Sequence, residues 1–167
     1  HRAAPCRNVP VTFTLDLTRS TSSMLQENKA LVSGFVEAVN TQDWPRVLSL
    51  VATDFSRHSA AAGDPQARSR AQLVAFLQAE SVTFPDAEET LLDLLADGDR
   101  VAARHQFRGT QLGPMGPFPP SGRVMCATYL AIYRIENGRI AEAWAEWDNL
   151  GGLRQLGQVR GRGGVVG

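Results

Sequence analysis

The spacing of hydrophobic residues changes once along this chain, near Phe84, and this change constrains the fold more than any other feature. Before Phe84, apolar residues recur at helical spacing; after it, they alternate with polar residues, as in strands. Helices followed by strands are typical of an α+β domain, in which the helices lie on one face of an antiparallel sheet. The chain has 167 residues, which is enough for one such domain with its own core.

Three helices are predicted in the first half of the chain. The first covers about residues 25–42, with its apolar residues on one face. The second begins after Asp43, whose side chain can accept a hydrogen bond from the first turn, and it is predicted to include Val51. The third covers about residues 69–82, because Ser69 and Gln72 form a capping-box pattern ahead of further apolar residues.

A meander of antiparallel strands is predicted in the second half. Asn137-Gly138 is typical of a tight hairpin turn between the last two strands. The proline-rich residues 113–120 must form a loop, because proline cannot donate a hydrogen bond to a sheet. The predicted strands cover about residues 88–95, 100–110, 124–135 and 140–148.

Two terminal segments lie outside the predicted domain, which covers residues 25–157. Residues 1–24 form an N-terminal extension, in which the alternation over residues 11–17 predicts a short strand. That strand could pair with a sheet edge or with a second subunit. The glycine-rich residues 158–167 predict a flexible tail.

Composition excludes several classes of partner. Lys plus Arg and Asp plus Glu are 17 each, so we expect no nucleic acid and no anionic membrane as partner, since phosphate binding needs a basic excess. No apolar run reaches the roughly 18 residues of a membrane span.

Cys6 and Cys126 are too few for a disulfide framework, which favours unpaired thiols and a cytoplasmic location. The histidines are not clustered and cofactor motifs are absent, so we expect neither a metal nor a cofactor.

A series of short motifs resembles the SnoaL-like polyketide cyclase family, within the nuclear transport factor 2-like superfamily. The resemblance implies a curved antiparallel sheet wrapped around the N-terminal helices, as a cone-shaped barrel with a central pocket. It also implies a small apolar organic ligand and a homodimer. The motifs, in chain order, are Asn40-Thr41-Gln42-Asp43-Trp44, Asp54-Phe55 with His58, Phe84-Pro85-Asp86, Gly109-Thr110, residues 116–123, residues 132–140, Trp144, Trp147-Asp148 and residues 153–157.

One departure from the family concerns its acid/base residue. The resemblance implies an acid/base aspartate on the last strand, as in the family members that catalyse aldol cyclisation. It also implies a histidine and a glutamine on the strand before it. Alignment with the family on residues 137–140 and on residues 153–157 gives one ungapped register. This register places Ala145 at the aspartate, Ala131 at the histidine and Tyr129 at the glutamine. Alanine cannot transfer a proton, so the familiar cyclase reaction is not carried over to this chain.

The face of the last strand that lines the pocket depends on the hairpin register. With a two-residue turn alone, Glu146 lies opposite Tyr129 and could act as a general acid/base in an apolar pocket. With a bulge or a longer turn, Ala145 and Trp147 face the pocket and the acids face outward. In either register, Trp144 and Trp147 lie on opposite faces, so one of them lines the pocket.

Other candidate residues have a functional and a structural interpretation. His58 follows the second helix and is either a ligand contact or proton carrier at the pocket mouth, or a structural histidine. Arg104 is either a pocket arginine for an anionic or carbonyl ligand, or a surface residue. Met115 and Phe118 either flank an apolar ligand or belong to a rigid surface loop. His105 shares a strand face with apolar residues, which favours a core histidine.

Two functions follow from these observations. The first is a small-molecule pocket with cofactor-independent acid/base chemistry, of a cyclase, isomerase or hydrolase type, on an apolar ligand that carries a carbonyl group. Glu146 or His58 would move the proton, and Tyr129 would orient the ligand. The alternative is a non-catalytic ligand-binding or dimerisation module of the same fold.

Overall fold

The computed structural model describes residues 14–59 and 67–159, with side chains described from residue 21 onward. These residues form four helices and five strands, an α+β domain as predicted. In chain order the elements are α1 (Thr14–Asn40), α2 (Trp44–Leu50), β1 (Val51–Ser59), α3 (Arg70–Thr83), β2 (Glu88–Asp97), β3 (Arg100–Thr110), β4 (Val124–Glu136), β5 (Arg139–Trp147) and α4 (Asn149–Gln155).

The predicted α+β fold is confirmed, and its sheet is mixed and open rather than closed into a barrel. Its strand order is β1-β5-β4-β3-β2. The strands β2 to β5 form the predicted antiparallel meander, whereas β1 pairs with β5 in parallel. Among the described residues β1 and β2 are the two edges, so the sheet does not close on itself.

Local capping signals place the helices α2 and α3 as predicted. The Asp43 carboxylate accepts a 3.0 Å hydrogen bond from the Arg46 N–H, and the Ser69 hydroxyl accepts a 3.2 Å bond from the Gln72 N–H. Each bond satisfies an amide that the first turn of a helix leaves without a partner. The second helix ends earlier than predicted, because Val51 begins β1.

Helix α1 begins at Thr14, well before the predicted start. Residues 14–17 are therefore helical, which corrects part of the strand predicted over residues 11–17; the remainder of that strand and Cys6 lie outside the described residues. Residues 14–24 contain neither glycine nor proline, so nothing in their sequence stops a helix from extending through them. The predicted domain boundary at residue 24 lies inside α1.

The core lies between α1 to α3 and one face of the sheet. Val32 on α1, Val47 on α2 and Leu73 on α3 pack against Phe55 and Val101 from the sheet. This arrangement gives the sheet an inner face, which is covered by helices, and an outer face. No helix among the described residues is long and apolar enough to cross a membrane.

The β4–β5 hairpin contains both a two-residue turn and a bulge. Asn137 and Gly138 have positive φ values of 51° and 70°, as a type I′ turn requires. The register then shifts after the Ile135–Ile140 pair, so that Ala141 has no partner on β4. This extra residue reverses the orientation of every later side chain on β5.

Candidate functional site

A cavity lies between the helices and the inner face of the sheet. Its volume is about 60 Å³, compared with about 150 Å³ for a cavity that accepts benzene. It therefore has room for a few water molecules, and a molecule of the size of benzene or larger would have to displace some of the lining side chains. The lining is mostly apolar, and its charged and hydroxyl side chains are Arg57, Glu80, Glu89, Tyr129 and Tyr133.

A carboxylate, two tyrosines and a histidine form a connected cluster at the cavity wall. The Tyr129 hydroxyl donates a 2.6 Å hydrogen bond to Oε2 of Glu89. His105 lies behind this pair, fully buried, with its Nδ1 at 3.3 Å from the same oxygen. Its Nε2 lies 3.1 Å from the Tyr133 hydroxyl. We call Glu89, Tyr129, His105 and Tyr133 the Glu89 cluster.

Both tyrosines of the cluster keep their protons at every physiological pH. Burial raises the pKa of Tyr129 well above its usual range, and the nearby charge of Glu89 raises it further. Burial, and then Glu89, raise the pKa of Tyr133 in the same direction. A phenol with a raised pKa is a hydrogen-bond donor rather than a base.

Aromatic stacking fixes the positions of these groups. The Tyr129 ring stacks on the His105 ring, with centroids 4.4 Å apart, and on the Trp147 ring, with centroids 3.8 Å apart. Phe107 contacts the edge of Trp147. Such stacks restrict ring rotation, so the hydroxyl of Tyr129 stays directed at Glu89.

Arg57 and Glu80 are two further charged residues in the cavity lining. Arg57 is buried on β1, and its guanidinium lies 4.7 Å from the centroid of the Phe76 ring. The Arg57 backbone N–H donates to the Ala67 carbonyl at 2.8 Å, which ties β1 to the segment before α3. The cavity therefore contains positive as well as negative charge.

The structure places Glu146, His58 and Trp144 away from the cavity. Glu146 is exposed on the outer face, opposite Leu130 of β4. His58 bonds to Glu142 at 2.8 Å and its ring stacks on Trp144. The bulge at Ala141 turns the even-numbered residues of β5 outward, and His58 lies on the same face because it pairs with Trp144. This corrects the expectation that Glu146 lies beside Tyr129.

The remaining predicted residues divide into two groups. Tyr129, Ala131, Ala145 and Trp147 line the cavity, as the register with a bulge predicts. The other three do not line it. Arg104 is exposed on the outer face, and Met115 and Phe118 pair with each other across a tight turn in the proline-rich loop.

The charged residues that line the cavity were not predicted from the sequence. Glu89 precedes Leu91 by two positions on β2, so it shares a face with an apolar residue. Arg57 follows the buried Phe55 by the same interval on β1. A charged residue on the apolar face of a strand was the signal that could have identified both. In the part of the chain that the structure describes, no three metal-ligating side chains come together.

One family model matches most of the chain. The family model for SnoaL-like polyketide cyclases matches residues 29–156. Among solved structures, IdmH, a proposed polyketide cyclase from Streptomyces antibioticus, is 33% identical with a TM-score of 0.68, over 78% of this chain and 98% of that one. TsrD from Streptomyces laurentii is 30% identical with a TM-score of 0.71, over 80% of this chain and 97% of that one.

A further solved structure matches more of the chain at lower identity. AclR, a proposed hydroxylase from Streptomyces galilaeus, is 25% identical with a TM-score of 0.71, over 85% of this chain and 88% of that one. An epoxide hydrolase from M. tuberculosis, at 15% identity and a TM-score of 0.66 over 81% of this chain and 92% of that one, shares the fold. Among curated proteins, none matches this chain significantly.

Proposed function

The chain belongs to the SnoaL-like polyketide cyclase family, and we propose that it binds a small carbonyl-bearing organic molecule in its cavity and moves a proton through Glu89. The observation that carries this proposal is the Glu89 carboxylate in a mostly apolar lining, held by the Tyr129 hydroxyl at 2.6 Å. A positioned carboxylate is a competent general base when the proton it removes lies within hydrogen-bonding distance. The reaction needs no cofactor.

The proposed step is an enolisation. Glu89 removes a proton from the carbon next to the carbonyl, the C–H electrons form an enolate, and the proton returns to carbon or oxygen as the reaction ends. Arg57 lies in the same cavity, and its positive charge favours the enolate oxygen. Cyclisation and isomerisation both begin from such an enolate.

In this proposal, Glu89 takes the role of the acid/base aspartate that the resemblance implies on the last strand. The position that the resemblance assigns to the acid/base aspartate is Ala145, which lines the cavity without any ionisable group. Glu89 lies on β2, at the opposite edge region of the sheet, and supplies a carboxylate to the same cavity. This change of strand implies a ligand orientation different from that of the aldol-cyclising relatives.

Proton exchange tests the proposal directly. Small ketones, from acetone to acetophenone, are incubated with the protein in D2O, and loss of the signal from hydrogens next to the carbonyl is followed by NMR. We expect Glu89→Gln to lower the exchange rate about a hundredfold or more, in line with the loss of a general base. Glu88→Gln is the matched control, since Glu88 is the exposed neighbour on the same strand. Equal rates for Glu89→Gln and the wild type would contradict the proposal.

A non-catalytic binding module is the second candidate. The small volume of the cavity and the alanine at position 145 favour it. Binding is measured from the methyl signals of Ala143 and Ala145 in the cavity, with Ala102 on the outer face as a control. Ligand-induced shifts confined to the cavity methyls, together with no exchange in the wild type, would select this candidate over the enzyme.

A homodimer through the outer face of the sheet belongs to the same proposal. Leu130 and Ile132 are exposed on that face, where a second copy could cover them. Light scattering on the wild type is expected to give twice the chain mass, and Leu130→Glu the monomer mass. Leu112→Glu is the control, because Leu112 is exposed to a similar extent, 58% against 59%, but lies outside the strands. A monomeric wild type would contradict the proposed homodimer.

A cytoplasmic location stays a prediction.

A further inference from the structure

We infer that Glu89 and His105 share one proton across the cavity wall, so that His105 is a positioning residue that sets the protonation of the Glu89 carboxylate. The inference rests on the proposed function for its catalytic consequence, because it names the group that tunes the proposed base. His105 does not line the cavity and cannot touch a ligand there. It would act through Glu89.

The first observation is an unsatisfied buried nitrogen. His105 has no exposed surface, and among the described residues its Nδ1 is the buried side-chain polar atom without a hydrogen-bond partner. Oε2 of Glu89 lies 3.3 Å from this nitrogen. A buried polar atom left without a partner costs about 1–3 kcal/mol, and a small reorientation that aligns Nδ1 and Oε2 around one proton would remove that cost.

The number of protons between the two atoms follows from their chemistry. If Glu89 is ionised, Nδ1 of His105 must carry a hydrogen, because a nitrogen lone pair facing a carboxylate is repelled. If Oε2 of Glu89 carries the proton, the same nitrogen must be bare in order to accept. Two hydrogens between Nδ1 and Oε2 would clash. With no hydrogen between them, two acceptor atoms would face each other. One shared proton is therefore the arrangement that satisfies both groups.

The tyrosines fix how this proton is used. The Tyr133 hydroxyl lies 3.1 Å from Nε2 of His105 and, as a protonated phenol, can donate to it, which leaves the hydrogen of a neutral imidazole on Nδ1. Tyr129 and His105 both approach Oε2 of Glu89. Oε1 is therefore the carboxylate oxygen that we assign to the ligand.

The other charged groups around the cavity bear on the same equilibrium. A negative neighbour favours protonation of the pair, and a positive neighbour disfavours it. Both kinds are present among the lining residues, with Glu80 on α3 and Arg57 on β1. Because the pair is directly coupled, its two members are expected to titrate together rather than as separate groups.

NMR tests the shared proton without any ligand. The protein is labelled with ¹⁵N in histidine and ¹³C in glutamate, and the Glu89 carboxyl and His105 ring signals are followed with pH. We expect both signals to change at the same pH values, and Nδ1 of His105 to carry the hydrogen when Glu89 is ionised. Independent transitions, or a bare Nδ1 beside an ionised Glu89, would overturn the inference. Because this arm uses the wild type, misfolding of a variant cannot obscure it.

A kinetic arm separates a positioning role from a merely structural one. His105→Gln keeps an N–H group that can reach Glu89 but cannot titrate. We expect it to move the pH at which ketone exchange is half-maximal by about one unit or more, the coupling typical of directly interacting groups, with KM unchanged. His58→Gln is the control, because His58 lies on the outer face. A pH profile that keeps the wild-type midpoint would count against the positioning role.

The two arms also distinguish this inference from the proposed function. Coupled NMR transitions in a protein that exchanges no ketone would retain the shared proton and remove the proposed enzyme. Loss of exchange in Glu89→Gln with independent transitions would retain the base and remove the shared proton.

Discussion

Replacing Tyr129 by phenylalanine removes one hydroxyl from the cavity wall and little else. The ring is 8% exposed and remains stacked between His105 and Trp147, so the buried apolar area is unchanged. What is lost is the 2.6 Å hydrogen bond to the Glu89 carboxylate. The substitution therefore reports on that single contact.

The expected loss of stability follows from the charge on the acceptor. A hydrogen bond to a charged group contributes about 1.5–3 kcal/mol, and one between neutral groups about 1 kcal/mol. The Glu89 side chain is 18% exposed, so water replaces part of the lost bond. We expect Tyr129→Phe to lower the free energy of unfolding by about 2 kcal/mol, and by only about 1 kcal/mol when Glu89 is already glutamine.

Urea unfolding of four proteins measures this difference: the wild type, Tyr129→Phe, Glu89→Gln and the double variant. The expected coupling energy is about 1 kcal/mol, within the range for residues in direct contact. Pairing Tyr129→Phe with Glu88→Gln provides the control, because Glu88 is exposed and those two effects should add within about 0.5 kcal/mol. A Tyr129–Glu89 coupling energy no larger than that of the control would refute the charged hydrogen bond, and with it the basis of the proposed function.

Three further substitutions test other contacts. Arg134, and then His58, hold the pKa of Glu142 below its ordinary value, so its stabilising contribution is lost as pH falls through the folded-state value; Glu142→Gln should flatten the decrease in Tm between about pH 5 and 3. Burial raises the pKa of Tyr133, so the unfolded chain ionises first and stability is lost as pH rises above about 10; Tyr133→Phe should reduce the decrease in Tm over that range. A Cβ at Gly113 would lie 2.6 Å from a carbonyl oxygen at the end of α3, so Gly113→Ala should cost about 1–3 kcal/mol by urea unfolding. An unchanged pH profile in either of the first two variants, or an unchanged midpoint in the third, would contradict the corresponding contact.

Elements with strong local signals could be predicted from the sequence. The strand β3 has its predicted bounds, because it alternates without interruption between two turns. The helix α3 begins where Ser69 predicts. In contrast, β1 was not predicted, because a register shift between Val51 and Ser56 interrupts its alternation. Its parallel pairing with β5 joins residues far apart in the chain, and no local pattern reports such a contact.

The same distinction applies to the site. Ala131, Ala145 and Trp147 could be placed at the cavity as one of two alternatives, because the resemblance supplied a register. Glu89 could not be identified in the same way, because it is one of two consecutive acids and β2 also contains a register shift after Leu91. Which acid faces inward is decided by pairing with β3 rather than by alternation within β2.

The bulge at Ala141 and the charge on β2 are two parts of one arrangement. By turning the acids of β5 outward, the bulge leaves small side chains, Ala143 and Ala145, against the cavity. Small residues there keep space open without supplying charge. A carboxylate on β2 can then reach that space from another strand, provided that a donor such as Tyr129 holds it. Acid/base chemistry requires a positioned carboxylate in a cavity rather than a particular strand, so the loss of the family's aspartate removes one reaction geometry and leaves another available.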